Sequence, residues 1–77
     1  MATEVMFFGQ LTEITGSSRL AVADVRDTDA LKEKLFQDYP SLSAAKFRIA
    51  VNNKIINDNT LISEDSKIAF MPPFSGG

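Results

Sequence analysis

Apolar and polar positions alternate in short stretches near both ends of the chain and again in its middle, and one longer stretch repeats with helical spacing. Residues 4–8, Glu-Val-Met-Phe-Phe, predict a first strand, with Val5 and Phe7 on one face and Met6 and Phe8 on the other. Both faces are apolar, so the strand is either covered on both sides or keeps one face for a partner. Gly9 ends it. Residues 10–15 predict a short helix with Leu11 and Ile14 facing inward and Gly16 as its C-cap. Residues 17–23 predict a second strand with Leu20 and Val22 on the core face. An antiparallel hairpin with the first strand is the simplest pairing of such close neighbours.

Asp27 is a good N-cap, and Thr28 and Asp29 suit the first turn of a helix, where free N–H groups need acceptors. Leu31, Leu35 and Tyr39 then recur at i, i+4 and i+8, and Phe36 widens the stripe. Lys32, Glu33, Lys34 and Asp38 form the solvated face. Pro40 stops this helix, because the residue before a proline disfavours α angles. Residues 47–51 predict a third strand with Ile49 and Val51 inward. Asn52, Asn53 and Lys54 form a tight turn, since Asn tolerates positive φ. Ile55 and Ile56 return as a short strand, Ile56 inward and Ile55 outward. Residues 57–66 are polar, with Leu61 and Ile62 as apolar anchors and Glu64, Asp65 and Ser66 as the turn into a last strand at 67–71. The expected core is Phe7, Leu20, Leu35, Ile49, Val51, Ile56, Ile68 and Phe70.

The order strand, strand, helix, strand, short strand, strand describes an α+β fold of the β-grasp, ubiquitin-like type. It predicts a mixed sheet of about five strands with one main helix on one face, and the first and last strands parallel at the centre. At 77 residues the chain is expected to form one domain, 1–77, with a flexible tail at 72–77. Fold alone would not give function, because many activities share such scaffolds.

Composition narrows the chemistry. The chain has no cysteine and no histidine, which removes disulfides, thiolate nucleophiles and the usual metal ligands. Asp58, Glu64 and Asp65 lack the glycine and ligand periodicity of a calcium loop, so no metal site is expected. The net charge is −2 and the pI about 4.9, with no Lys/Arg cluster, which argues against nucleic acid and favours a basic protein surface as partner. Residues 1–9 carry no charged n-region or long apolar run, and no stretch approaches a membrane span of about 20 apolar residues, so a cytoplasmic protein without membrane attachment is expected. Glu13, Tyr39 and Lys54 read as surface or packing residues; no catalytic side chain stands out.

The most informative stretch is the last eleven residues, Lys-Ile-Ala-Phe-Met-Pro-Pro-Phe-Ser-Gly-Gly. Pro72 and Pro73 remove two backbone donors and end the strand. Fully extended, residues 72–77 would reach roughly 20 Å, at about 3.3 to 3.6 Å per residue. The end could be a simple frayed terminus. Alternatively, the Gly77 carboxylate is the working group. Gly76 and Gly77 have no Cβ, so they can pass down a narrow channel and leave the carboxylate open to activation by a nucleotide.

A strand ending in Phe-Met-Pro-Pro-Phe-Ser-Gly-Gly resembles the small, sulfur-carrying subunits of molybdopterin synthase, the MoaD family, which end in an aromatic pair, Pro-Pro, two variable residues and Gly-Gly. Met71 stands in place of the second aromatic. The resemblance extends to the Val5-Met6-Phe7-Phe8 strand and the Val51-Asn52 strand end. It implies that an adenylating enzyme of the ubiquitin-activating type uses ATP to form an acyl adenylate at Gly77, that a sulfur donor converts it to a thiocarboxylate, and that sulfur passes to cyclic pyranopterin monophosphate in the large synthase subunit. That subunit would form a two-plus-two heterotetramer with this chain. No permanently bound cofactor is implied, and the catalytic side chains would belong to the partners. The implied partner-binding residues are Phe8, Ile55, Met71, Pro72, Pro73, Phe74 and Ser75, the first three expected as one outward apolar patch. A thiamine-pathway sulfur carrier, disfavoured by Pro72-Pro73, a ubiquitin-like modifier conjugated through Gly77, and a binding module that makes no use of its tail remain as alternatives.

Overall fold

In the computed structural model, which describes residues 2–73, the chain runs β1(Ala2–Phe7), α1(Leu11–Thr15), β2(Arg19–Ala23), α2(Thr28–Asp38), α3(Pro40–Ala44), β3(Arg48–Val51), β4(Lys54–Ile56) and β5(Lys67–Met71). The strands form one sheet in the order β2-β1-β5-β3-β4. β1 and β5 pair in parallel at its centre, with Val5 opposite Ile68 and Phe7 opposite Phe70. The other ladders are antiparallel. This is the mixed, ubiquitin-like β-grasp sheet expected from the element order.

Strand alternation sorts the residues cleanly. Thr3, Val5 and Phe7 of β1, Ile68 and Phe70 of β5, and Ile49 and Val51 of β3 point to the helical side and are buried. They meet Leu11 from α1, Leu31 and Leu35 from α2, and Leu42 from α3 in one core. Leu20 and Ile56, expected inside, pack against its margin and stay partly exposed, as edge-strand residues do. Aromatic rings tie the two layers. Phe7 and Phe70 lie 5.4 Å apart, Phe70 and Phe47 5.0 Å, and Phe47 and Phe36 of α2 6.1 Å, all tilted, a favoured arrangement for ring quadrupoles.

The punctuation follows backbone chemistry. Asp27 caps α2 by accepting from the Ala30 N–H at 2.8 Å. Asn52 and Asn53 both have positive φ, 52° and 69°, which a tight two-residue hairpin turn requires. Lys54 already belongs to β4 and not to the turn. The Asn52 side chain also accepts from the Lys67 N–H at 2.9 Å, pinning the start of β5.

Two further expectations change. Pro40 does end α2, but it also opens α3, which the sequence pattern had not suggested. A proline at the first helical position loses no hydrogen bond, because that N–H has no partner in a helix anyway. Leu61 is not an anchor: it is 78% exposed, whereas Ile62 is buried. The segment runs alongside the α2 entry, with Thr28 N–H donating to Thr60 O and Ile62 N–H to Arg26 O, both at 2.9 Å. Neighbours in an extended segment point to opposite sides, so one of the pair must face water.

Candidate functional site

Whatever leaves the end of β5 leaves from the middle of the sheet. Phe70 is buried, Met71 is half-buried, and Pro72 and Pro73 follow. Beside this exit runs the turn between β1 and α1. Phe8 N–H donates to Phe70 O at 3.0 Å, extending the parallel ladder one step past β1. Next to it, Gly9 has φ +59°, and its open side faces the Pro72 ring. Leu11, Ile14, Lys46 and both prolines border a cavity of about 280 Å³ under the exit. Pro73 also lines a groove of about 780 Å³, together with Phe36 of α2, Phe47, Ile49 of β3 and Ile56 of β4.

Among the described residues, no helix covers the sheet face opposite α1, α2 and α3. Register places its side chains in rows. Met6 lies opposite Ala69, Ala69 opposite Ala50, and Ala50 opposite Ile55. One row nearer the exit, Met71 lies opposite Arg48, with Phe8 beside it on the β1 side. Phe8 is 45% exposed and Ile55 50%. Phe8 and Met71 are therefore brought together as expected, and Ile55 stands at the β4 edge of the same face. Met6 and Ala69, both half-buried, lie between them, and Ala50 beneath is buried. The alternation that turned Val5, Ile49 and Ile68 inward could have named them. Charge frames the patch: Arg48 closes the exit row, and Arg19 pairs with Glu4 at 3.5 Å across the β2 side. Phe74, Ser75, Gly76 and Gly77, also expected to function, lie outside the described residues.

Among the described residues no cluster of metal-binding side chains occurs, and no helix is long and apolar enough to cross a membrane.

The family model for the ThiS family matches residues 5–77. The chain belongs to the ThiS family. Among curated relatives, the molybdopterin synthase sulfur carrier subunit of Escherichia coli (strain K12) is 28% identical over 79 residues, spanning 96% of this chain and 98% of that protein. Among solved structures, a chain of the complex of subunits 1 and 2 of molybdopterin-converting factor from Helicobacter pylori 26695 aligns with a TM-score of 0.72 and 26% identity, covering both chains completely. Small archaeal modifier protein 1 from Methanosarcina acetivorans aligns with a TM-score of 0.80 at 22% identity, over 100% of this chain and 99% of that one; that likeness is one of fold. The resemblance to molybdopterin synthase small subunits read from the sequence thus stands within this ThiS-family assignment.

Proposed function

We propose that this chain is the sulfur-carrier subunit of a molybdopterin synthase and that the Gly77 carboxylate is its working group. The observation that carries the reading is the end-to-end correspondence with the Escherichia coli sulfur carrier subunit. The geometry is consistent with it, because β5 delivers Pro72 and Pro73 from the centre of the sheet. The chemistry follows from what the chain lacks. Without cysteine, sulfur must reside on the terminal carbonyl. The carboxylate attacks the α-phosphate of ATP held by an adenylating enzyme, and pyrophosphate leaves. A sulfur donor then displaces AMP, leaving a thiocarboxylate. In the large subunit its sulfur passes to cyclic pyranopterin monophosphate and water restores the Gly77 carboxylate, so two such transfers supply the two sulfurs of the dithiolene. The chain itself contributes a slim glycine end and a docking face; the catalytic side chains and ATP belong to partners.

The docking face is the open sheet surface of Phe8, Met71 and Ile55, joined by the half-buried Met6 and Ala69. Exposed contiguous apolar surface of this kind marks partner sites, and Phe and Met suit interface cores. The large subunit of a molybdopterin synthase is the proposed occupant; the complex of subunits 1 and 2 of molybdopterin-converting factor from Helicobacter pylori supports this reading. Pro72, Pro73, Phe74 and Ser75 would line the passage into its active site, and the assembly would be two-plus-two.

The test is intact mass spectrometry. With adenylating enzyme, ATP and a sulfur donor, the chain should gain the mass difference of one oxygen-to-sulfur exchange, located at Gly77. Adding large subunit and cyclic pyranopterin monophosphate should remove it and yield molybdopterin. A chain that is never thiocarboxylated, or whose sulfur goes only to a thiamine precursor or whose end is joined to protein lysines, would overturn the reading.

A further inference from the structure

Gly9 lies outside the open sheet face and outside the glycine end, yet it touches the path between them. A Cβ built on it would stand 2.7 Å from Pro72 Cγ and 3.4 Å from Cδ. Carbon atoms settle at about 3.5 to 4.0 Å, so one side of this contact must move if a side chain is added. The Pro72 ring is closed onto its own backbone nitrogen, so its Cγ can yield only by a change of pucker and cannot rotate away as a free side chain would. Relief beyond what a pucker change supplies means moving backbone, because Cδ, at 3.4 Å, is bonded to the Pro72 nitrogen.

The turn around Gly9 is the firmer side. Phe8 N–H donates to Phe70 O at 3.0 Å and Leu11 N–H to Phe8 O at 3.2 Å. Gly9 O itself accepts from the Thr12 N–H at 3.2 Å and the Thr12 hydroxyl at 2.8 Å. Leu11, two residues on, is buried in the core. Shifting Gly9 would break these bonds or pull Leu11 out. Pro72 has already passed the end of β5. The added atom would push Pro72 away and turn the chain that follows.

We infer that Gly9 is a positioning residue: its missing side chain seats the Pro72 ring and sets the direction in which the chain leaves β5 toward Gly77. This rests on the carrier reading above. A partner that grips the open face while a glycine end reaches its active site needs that exit angle fixed relative to the face. Misplacement by about 1 Å can cost on the order of a hundredfold in rate.

The test uses the full chain with its large subunit. Gly9→Ala adds the colliding atom. Gly9→Asn adds it too, but Asn accepts the left-handed φ readily, which separates the collision from backbone strain. Each is combined with Pro72→Ala, which removes Cγ and Cδ. Both single variants should keep wild-type affinity for the large subunit and slow sulfur transfer at saturation by about tenfold to a hundredfold. Each double variant should regain the rate of Pro72→Ala alone. Crystal structures should show the Pro72 ring displaced in the Gly9→Asn chain. Wild-type transfer by Gly9→Asn, no recovery in its double variant, or an unmoved Pro72 ring would each overturn the inference. A wild-type chain that never transfers sulfur would instead sink the carrier reading, and the role of Gly9 in transfer with it.

Discussion

Replacing Phe8 by Asp should separate binding from folding. Phe8 lies past the end of β1, and its backbone N–H, which holds the Phe70 carbonyl, is unaffected by the change. Its side chain belongs to the face opposite the core, so the melting curve should hardly move. A phenylalanine offers about 200 Å² of surface. At 45% exposure, about 90 Å² of it remains for a partner to cover. At about 25 cal/mol per Å², that burial is worth about 2 kcal/mol. An aspartate forgoes it and adds a carboxylate to be desolvated, so about 2 kcal/mol is the least expected loss, roughly thirtyfold in Kd. Calorimetric titration against the large subunit, with a thermal melt of each variant beside it, reads both quantities. Wild-type affinity would refute the docking face. Cooperative unfolding lost in the variant would show that Phe8 supports the core and that the face assignment is wrong.

Met71→Asp should weaken the same titration by a comparable amount without unfolding the chain. Phe7→Ala removes a buried ring tilted against Phe70 at 5.4 Å and should cost about 3 to 5 kcal/mol in denaturant melts; a loss below about 1 kcal/mol would mean the site collapses or Phe7 is not core. Ile62→Ala should cost about 2 to 5 kcal/mol, whereas Leu61→Ala should change stability by less than about 0.5 kcal/mol; equal costs would contradict the loop described above. Deleting Gly77 should abolish thiocarboxylate formation, read by intact mass; a deleted chain that still supports molybdopterin synthesis would sink the mechanism.

The sheet was legible because its signal is period two. Val5 and Phe7, Ile49 and Val51, and Ile68 and Phe70 each alternate with outward residues, and a strand has only two faces to choose between. Asn52-Asn53 named its own turn, since few other residues accept positive φ twice in succession. What escaped lay where local pattern is weak. α3 is five residues long, carries one buried leucine, and begins with the proline that ends α2, so no periodicity announces it. Leu61 and Ile62 are equally apolar, and only the backbone bonds to Arg26 and Thr28 decide which turns inward. The docking face was half visible. Phe8, Met6, Ile55 and Met71 followed from alternation, but which of them lie side by side, with Ala69 and Ala50 between them, is set by cross-strand register, which no single strand contains. The contact between Gly9 and Pro72 joins residues 63 positions apart. Gly9 read simply as the end of a strand.

Met71 belongs to both halves of the proposed function. It is the last residue of β5, it lies opposite Arg48 on the open face, and its C-terminal neighbour is the ring seated on Gly9. A partner that covers Phe8 and Met71 is thereby placed beside the exit, at a distance fixed by the sheet's own hydrogen bonds. Docking energy gained on the face then orients the glycine end without any catalytic group on this chain. The two contributions should separate kinetically. Losing the face weakens capture, so Phe8→Asp should raise the large-subunit concentration needed for half-maximal transfer and leave the rate at saturation alone. Tilting the exit leaves capture intact, so Gly9→Asn should lower the rate at saturation and leave the half-maximal concentration alone. If both variants changed the same parameter, the face and the exit would not be acting as separate devices, and the division drawn between them at Met71 would be wrong.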